Sequence, residues 1–167
     1  MEKNDFTEKM RQWLESFFKR KLASTHTVLE VLAPTSSLAK LNNEHIKGLQ
    51  NYSSWDFKPD VFGIIQDKTT KHKEVVLLNR STSALSLKEI GEINCYARLT
   101  KSTLVFLAST RGLSSEVNIL LLDDDIRKRI LQLNGGGEIT IFAWDEKSDS
   151  INQNSIVPFN KKDFLLN

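Results

Sequence analysis

The sequence predicts a single α/β domain with a mixed central sheet and flanking helices. Three observations lead there: an amphipathic run of helical period near the start, two short apolar runs joined by a polar loop, and a strand–helix–strand succession whose helix opens on a capping box. The 167 residues suit one domain over 1–167, and 40% hydrophobic residues suffice for one sizeable core and argue against disorder of the whole chain.

Residues 5–22 read as a helix, because Phe6, Met10, Trp13, Leu14, Phe17 and Phe18 recur at helical spacing. Lys19-Arg20-Lys21 follows at the C-terminal end, where cations suit the helix dipole. Thr25 to Ala33 is rich in β-branched residues and stops at Pro34, which predicts a strand. A short helix is expected around Glu44–Leu49. Asp60 to Ile65 and Glu74 to Leu78 are apolar runs of strand length, and the polar loop from Gln66 to Lys73 joins them as an antiparallel hairpin.

Ser86-Leu87-Lys88-Glu89 is a capping box that starts a helix running to about Leu99. Ser102 to Ser109 is then a buried strand, and the strand–helix–strand order predicts a parallel crossover. Helical pieces are expected near 114–121 and 124–133, the second begun by Asp123, Asp124 and Asp125 and ended by Asn134-Gly135. Ile139 to Trp144 is a last strand. Glu146 to Asn154 reads as a polar loop, with Val157-Pro158-Phe159 and Phe164-Leu165-Leu166 docking the tail on the body. The core thus spans about 5–109, and a C-terminal helix–strand extension covers about 110–167.

With 23 basic and 21 acidic side chains the net charge is only +2, which does not advertise a nucleic-acid binder but leaves room for a local basic face. Cys95 is the only cysteine, which excludes an intramolecular disulfide and a cysteine-built zinc site; it reads as a small core residue. His26, His45 and His72 form no ligand spacing, and Trp13, Trp55 and Trp144 read as packing residues. No apolar run approaches the roughly 20 residues that span a bilayer. The opening Met1-Glu2-Lys3-Asn4-Asp5 is not a signal segment, so a reducing cytoplasm is the expected compartment. Gly135-Gly136-Gly137 lacks the Lys-Ser/Thr of a phosphate-binding loop and reads as a helix stop.

The order helix, three strands, helix, strand resembles the αβββαβ core of the PD-(D/E)XK nucleases, the restriction-endonuclease-like fold. Pro59-Asp60 opens the second strand, where that family keeps Pro-Asp. Val75-Val76-Leu77-Leu78 stands for the third strand, and Leu87 to Ala97 is similar to the family's Gln-Leu-x-x-Tyr helix, with Glu92 and Tyr96 at the Gln and Tyr positions. The departure lies at the end of the third strand, where Glu-x-Lys is replaced by Asn79-Arg80-Ser81.

What the resemblance implies is phosphodiester chemistry on DNA, assisted by Mg²⁺ or Mn²⁺, which prefers oxygen ligands and one or two carboxylates. Asp60 is the carboxylate in place. Asn79 would offer a carbonyl oxygen, Ser81 a hydroxyl for phosphate or water, and Glu92 a second carboxylate from the helix. Asp60, Asn79 and Glu92 are therefore the candidate metal ligands. Lys88, one turn before Glu92, would replace the family's lysine, and Glu15 resembles an acidic residue many members keep on the first helix. Lys68, Lys71 and Lys73 in the hairpin loop would contact phosphates, with Lys19, Arg20, Lys21, Lys101 and Arg111 bordering the same edge. As ordinary surface chemistry, Lys88 and Glu92 are a solvated helix pair and the loop lysines a solubilising device.

Three functions follow as expectations: a metal-dependent DNA endonuclease with an altered site, acting as a homodimer or in a larger complex as many relatives do; a non-cutting descendant that binds nucleic acid or a protein partner; or an unrelated α/β domain.

Overall fold

In the computed structural model, which describes residues 2–167, the first apolar stripe winds into α1 (Lys3–Lys21), and all six of its large side chains are buried. The strands β1 (His26–Leu32), β2 (Val61–Asp67), β3 (Lys73–Ser81), β4 (Leu104–Ser109), β5 (Glu138–Asp145) and β6 (Ser150–Val157) form one six-stranded sheet in sequence order. The first three are antiparallel, β3–β4 and β4–β5 are parallel, and β5–β6 is antiparallel. The helices between strands are α2 (Glu44–Lys47), α3 (Leu87–Thr100), α4 (Ser115–Leu120) and α5 (Asp124–Leu131), and α6 (Lys162–Leu166) closes the chain. No helix among the described residues is long and apolar enough to cross a membrane.

Alternation along β3 sends Val76 and Leu78 to one face and Val75 and Leu77 to the other. The first face packs under α1, with Phe17 and Trp13 edge-on to Phe106 at ring distances of 5.3 and 5.1 Å. The second packs under α3 through Ile90, Ile93 and Ala97. Burying each such side chain contributes about 1.5–3 kcal/mol relative to leaving it exposed. The capping box at Ser86 forms in full, so α3 starts where the sequence places it.

Three expectations need correction. Much of the predicted polar loop is strand: β6 takes in Ser150 to Asn154, and only Ile151 and Ile156 of this strand are buried apolar residues. It is an edge strand with a mostly polar surface, so its hydrophobic period is too faint to read. The C-terminal extension continues the core sheet through β5 and β6, and Phe142, Trp144 and Leu165 share the core under α1. Cys95 is exposed: the inward stripe of α3 is Ile90, Ile93, Ala97 and Thr100, and Cys95 lies off it. In the tail, Phe164 packs edge-on against Phe17 at 5.2 Å, whereas Phe159 stays 71% exposed.

Two glycines are dictated by close approach. At Gly137 a Cβ would stand 2.1 Å from the Thr103 carbonyl oxygen, so only glycine lets the turn before β5 lie against the start of β4. At Gly63 a Cβ would sit 3.0 Å from two ring carbons of Phe18. Gly63→Val is expected to force that ring aside and lower stability by about 1–3 kcal/mol in urea denaturation; an unchanged midpoint would show that α1 can move off the sheet freely.

Candidate functional site

The β2–β3 register pairs Val61 with Leu78, so the next residues outward, Asp60 and Asn79, stand opposite each other where the two strands part. Their side chains continue the ladder that the backbone abandons. The Asp60 amide donates to Asn79 Oδ1 at 3.1 Å, and the Arg80 amide donates to Asp60 Oδ2 at 2.9 Å. Because β3 alternates, Arg80 points to the α1 face, where its Nε donates to Thr7 Oγ1 at 2.7 Å. Its Nη2 lies 3.5 Å from Asp60 Oδ1, with the Arg80 side chain 5% and the Asp60 side chain 28% exposed, so this ion pair is largely shielded from water.

Asp60, Asn79, Arg80, Glu89 and Glu92 line one cleft of about 210 Å³, with Lys3 and Lys58 at its rim. The structure thus brings together three of the sequence-predicted residues, Asp60, Asn79 and Glu92. Two others go elsewhere. Ser81 is absent from the cleft wall and accepts the Ser83 amide through Oγ at 3.0 Å, closing a turn. Lys88 points off the cleft into a separate apolar groove shared with Val117 and Leu120, because it sits one position before the cleft-facing Glu89 on α3. Glu15 faces solvent and pairs with Lys19 at 2.9 Å and Arg11 at 3.4 Å.

The cleft also contains Arg80 and Glu89, which lie outside the family motif. Arg80 was the unnamed middle residue of Asn79-Arg80-Ser81, and strand alternation was the signal that it turns inward. Glu89 serves both as the capping-box residue of α3 and as part of the cleft wall. Against the upward push of burial, the Ser86 hydroxyl and amide hold the Glu89 carboxyl below its usual value. Glu92 Oε1 accepts the Tyr96 hydroxyl at 2.7 Å, and the Tyr96 ring stacks on Phe57 at 4.3 Å. Burial first, and then the bond to Glu92, pushes the Tyr96 phenol well above its ordinary value.

These partners decide whether the divalent ion implied by the resemblance fits. Such an ion needs several oxygen donors free to converge. Here the Asp60 carboxylate is taken by the Arg80 amide and guanidinium, Asn79 Oδ1 by the Asp60 amide, and a Glu92 oxygen by Tyr96. Arg80 already supplies the positive charge. Among the described residues no group of three or more His, Cys, Asp or Glu is placed to hold a metal ion. As arranged, the donors do not make a divalent-cation site.

The predicted phosphate-contacting lysines are not at this cleft either. Lys68, Lys71 and Lys73 stand at the turn joining β2 to β3, and Asn79 lies at the other end of β3, roughly 20 Å away along an extended strand. Arg111 alone of the basic residues grouped with them belongs to the opposite end, beside Trp144 and Asp145. No family model matches the chain, and no curated protein matches it significantly.

Two outcomes are expected. Arg80→Met keeps the buried stem but removes the counter-ion of Asp60 and the bond to Thr7, and should cost about 1–3 kcal/mol in urea denaturation. Asp60→Asn, which still offers an acceptor to the Arg80 amide, should cost less; a larger loss than for Arg80→Met would contradict this account. Ultraviolet difference titration should show one phenol ionising well above the usual value near about 10, absent in Tyr96→Phe. Since the folded-state value is the raised one, stability from this group is present below the unfolded-state value and is lost as pH rises past it.

Proposed function

We propose that this chain is a DNA-processing protein of the PD-(D/E)XK nuclease lineage that has given up cutting and works by binding. The observation that carries this reading is the Asp60–Arg80 ion pair at the point where the lineage would hold its metal and scissile phosphate. An aspartate engaged by a buried guanidinium is a poor ligand for a second cation, because the ion would have to displace Arg80 and leave it unpaired.

Several features support the lineage. α1 and α3 cover opposite faces of the sheet, β3 and β4 are parallel across the α3 crossover, and Pro59-Asp60 meets the end of β3 as the motif order requires. The loss of both the acid and the lysine of Glu-x-Lys then has a physical counterpart. Asn79 serves as a backbone acceptor and Ser81 as a turn residue, so neither is available for activating water.

The test is incubation of supercoiled plasmid with Mg²⁺ or Mn²⁺, comparing the natural chain with Asp60→Ala. Both are expected to leave the plasmid supercoiled. Metal-dependent nicking that Asp60→Ala abolishes would overturn the non-cutting reading and make Glu92 a working ligand.

A further inference from the structure

The small net charge conceals a separation along the strand axis. The cleft end carries Asp60, Glu89, Glu92, Asp145 and Asp149; Arg80 pairs there with Asp60 and Lys9 with Asp149 at 2.5 Å, while Lys3, Lys58 and Arg111 are in no ion pair among the described residues. The other end gathers the last turn of α1, the β2–β3 turn and the end of α3. Arg20 and Lys21 come from the first, Lys71 and Lys73 from the second, and Lys101 from the third. Among the described residues none of these five is in an ion pair. Lys68 ties the first two segments together by donating its Nζ to the Ala23 carbonyl and its amide to Thr25 O at 2.9 Å.

Of the carboxylates at this end, Asp67 and Glu74 are engaged, while Glu138 opens β5 on the far side of β4 without such a partner among the described residues. Asp67 accepts the Thr69 and Thr70 amides at 2.8 and 2.7 Å, and Glu74 lies 4.0 Å from His26 and accepts Thr103 Oγ1 at 3.3 Å. Helix dipoles account for cations at the ends of α1 and α3, but not for Lys71 and Lys73 on a strand turn.

The backbone makes two of these lysines open to a clean substitution. Lys71 and Lys101 both adopt left-handed conformations, with φ of 61° and 55°, where glycine is the least strained residue. Asn51 and Asp149 share this conformation, and Lys101 has it as the C-cap of α3, so it marks where glycine replaces a lysine without strain. Lys73 and Lys101 line the same groove of about 240 Å³, together with His72, Asn51 and the Glu74 carboxylate, which is turned to His26 and Thr103.

We infer that this end of the sheet, and not the Asp60 cleft, receives the phosphodiester backbone of a nucleic acid. Lys73 and Lys101 grip one phosphate across the groove, and Lys71 and Arg20 meet its neighbours. The inference rests on the nucleic-acid reading above and relocates its contact surface.

Fluorescence anisotropy with a labelled DNA duplex, read across about 50 to 200 mM salt, tests it. The variants are Lys71→Gly/Lys101→Gly, which suits both left-handed positions and so keeps the fold, and Lys3→Ala/Lys58→Ala at the cleft rim. The lysine-to-glycine pair is expected to weaken binding at least about tenfold at low salt and to reduce the salt slope by about two. Its thermal midpoint should not fall, and the cleft-rim pair should bind as the natural chain does. Binding by the natural chain that survives Lys71→Gly/Lys101→Gly but fails in Lys3→Ala/Lys58→Ala would overturn the relocation and leave the nucleic-acid reading standing. No duplex binding by the natural chain would overturn both. Displacement of the duplex by polyglutamate at equal charge concentration would overturn the nucleic-acid assignment in favour of an acidic protein partner.

Discussion

The Val75–Leu78 run of β3 has to be buried on both faces at once. Four consecutive apolar residues in an extended strand present two side chains to each side, and neither pair can be left in water without losing several kcal/mol. α1 answers one face with an aromatic stripe, and α3 answers the other with Ile90, Ile93 and Ala97. With its middle sealed, β3 has polar chemistry available only at its two ends. The cleft and the basic surface are those ends.

At the C-terminal end, polar residues are drawn into finishing the sheet. Asp60 and Asn79 exchange side-chain hydrogen bonds with the facing strand where backbone pairing stops, and Arg80 anchors the arrangement to Thr7 of α1. A carboxylate, an amide and a guanidinium at one place can serve catalysis or hold strands together. Here the carboxylate, the amide oxygen and the guanidinium are each matched within the chain, which favours the second use. The opposite end is built differently: Arg20, Lys21, Lys71, Lys73 and Lys101 are in no ion pair among the described residues, while backbone and His26 contacts occupy Asp67 and Glu74. Charge that is left unmatched on a surface is available to a partner, whereas charge matched inside is available to the fold.

The helical stripe of α1, the hairpin of β2 and β3, the capping box of α3 and the parallel crossover were legible in the sequence because each is a local pattern with its own physical signature. The strand β6 was not, since an edge strand needs few apolar residues and draws its order from the backbone of β5. Among site residues, Asp60, Asn79 and Glu92 line one cleft, but Ser81 and Lys88 do not, because one closes a turn and the other is rotated away by the helical period.

By itself the sequence determined the class of fold, the order of its elements and which residues sit near the ends of the strands, because periodicity, capping and turn chemistry act over a few neighbouring residues. Only the tertiary structure decided who partners whom. Arg80 reaches Asp60 twenty positions earlier and Thr7 seventy-three positions earlier, and Lys101 meets Lys73 across a groove that no local pattern describes. Whether an aspartate is a free ligand or one half of an ion pair depends on such distant neighbours, and chain separation hides them until the sheet closes.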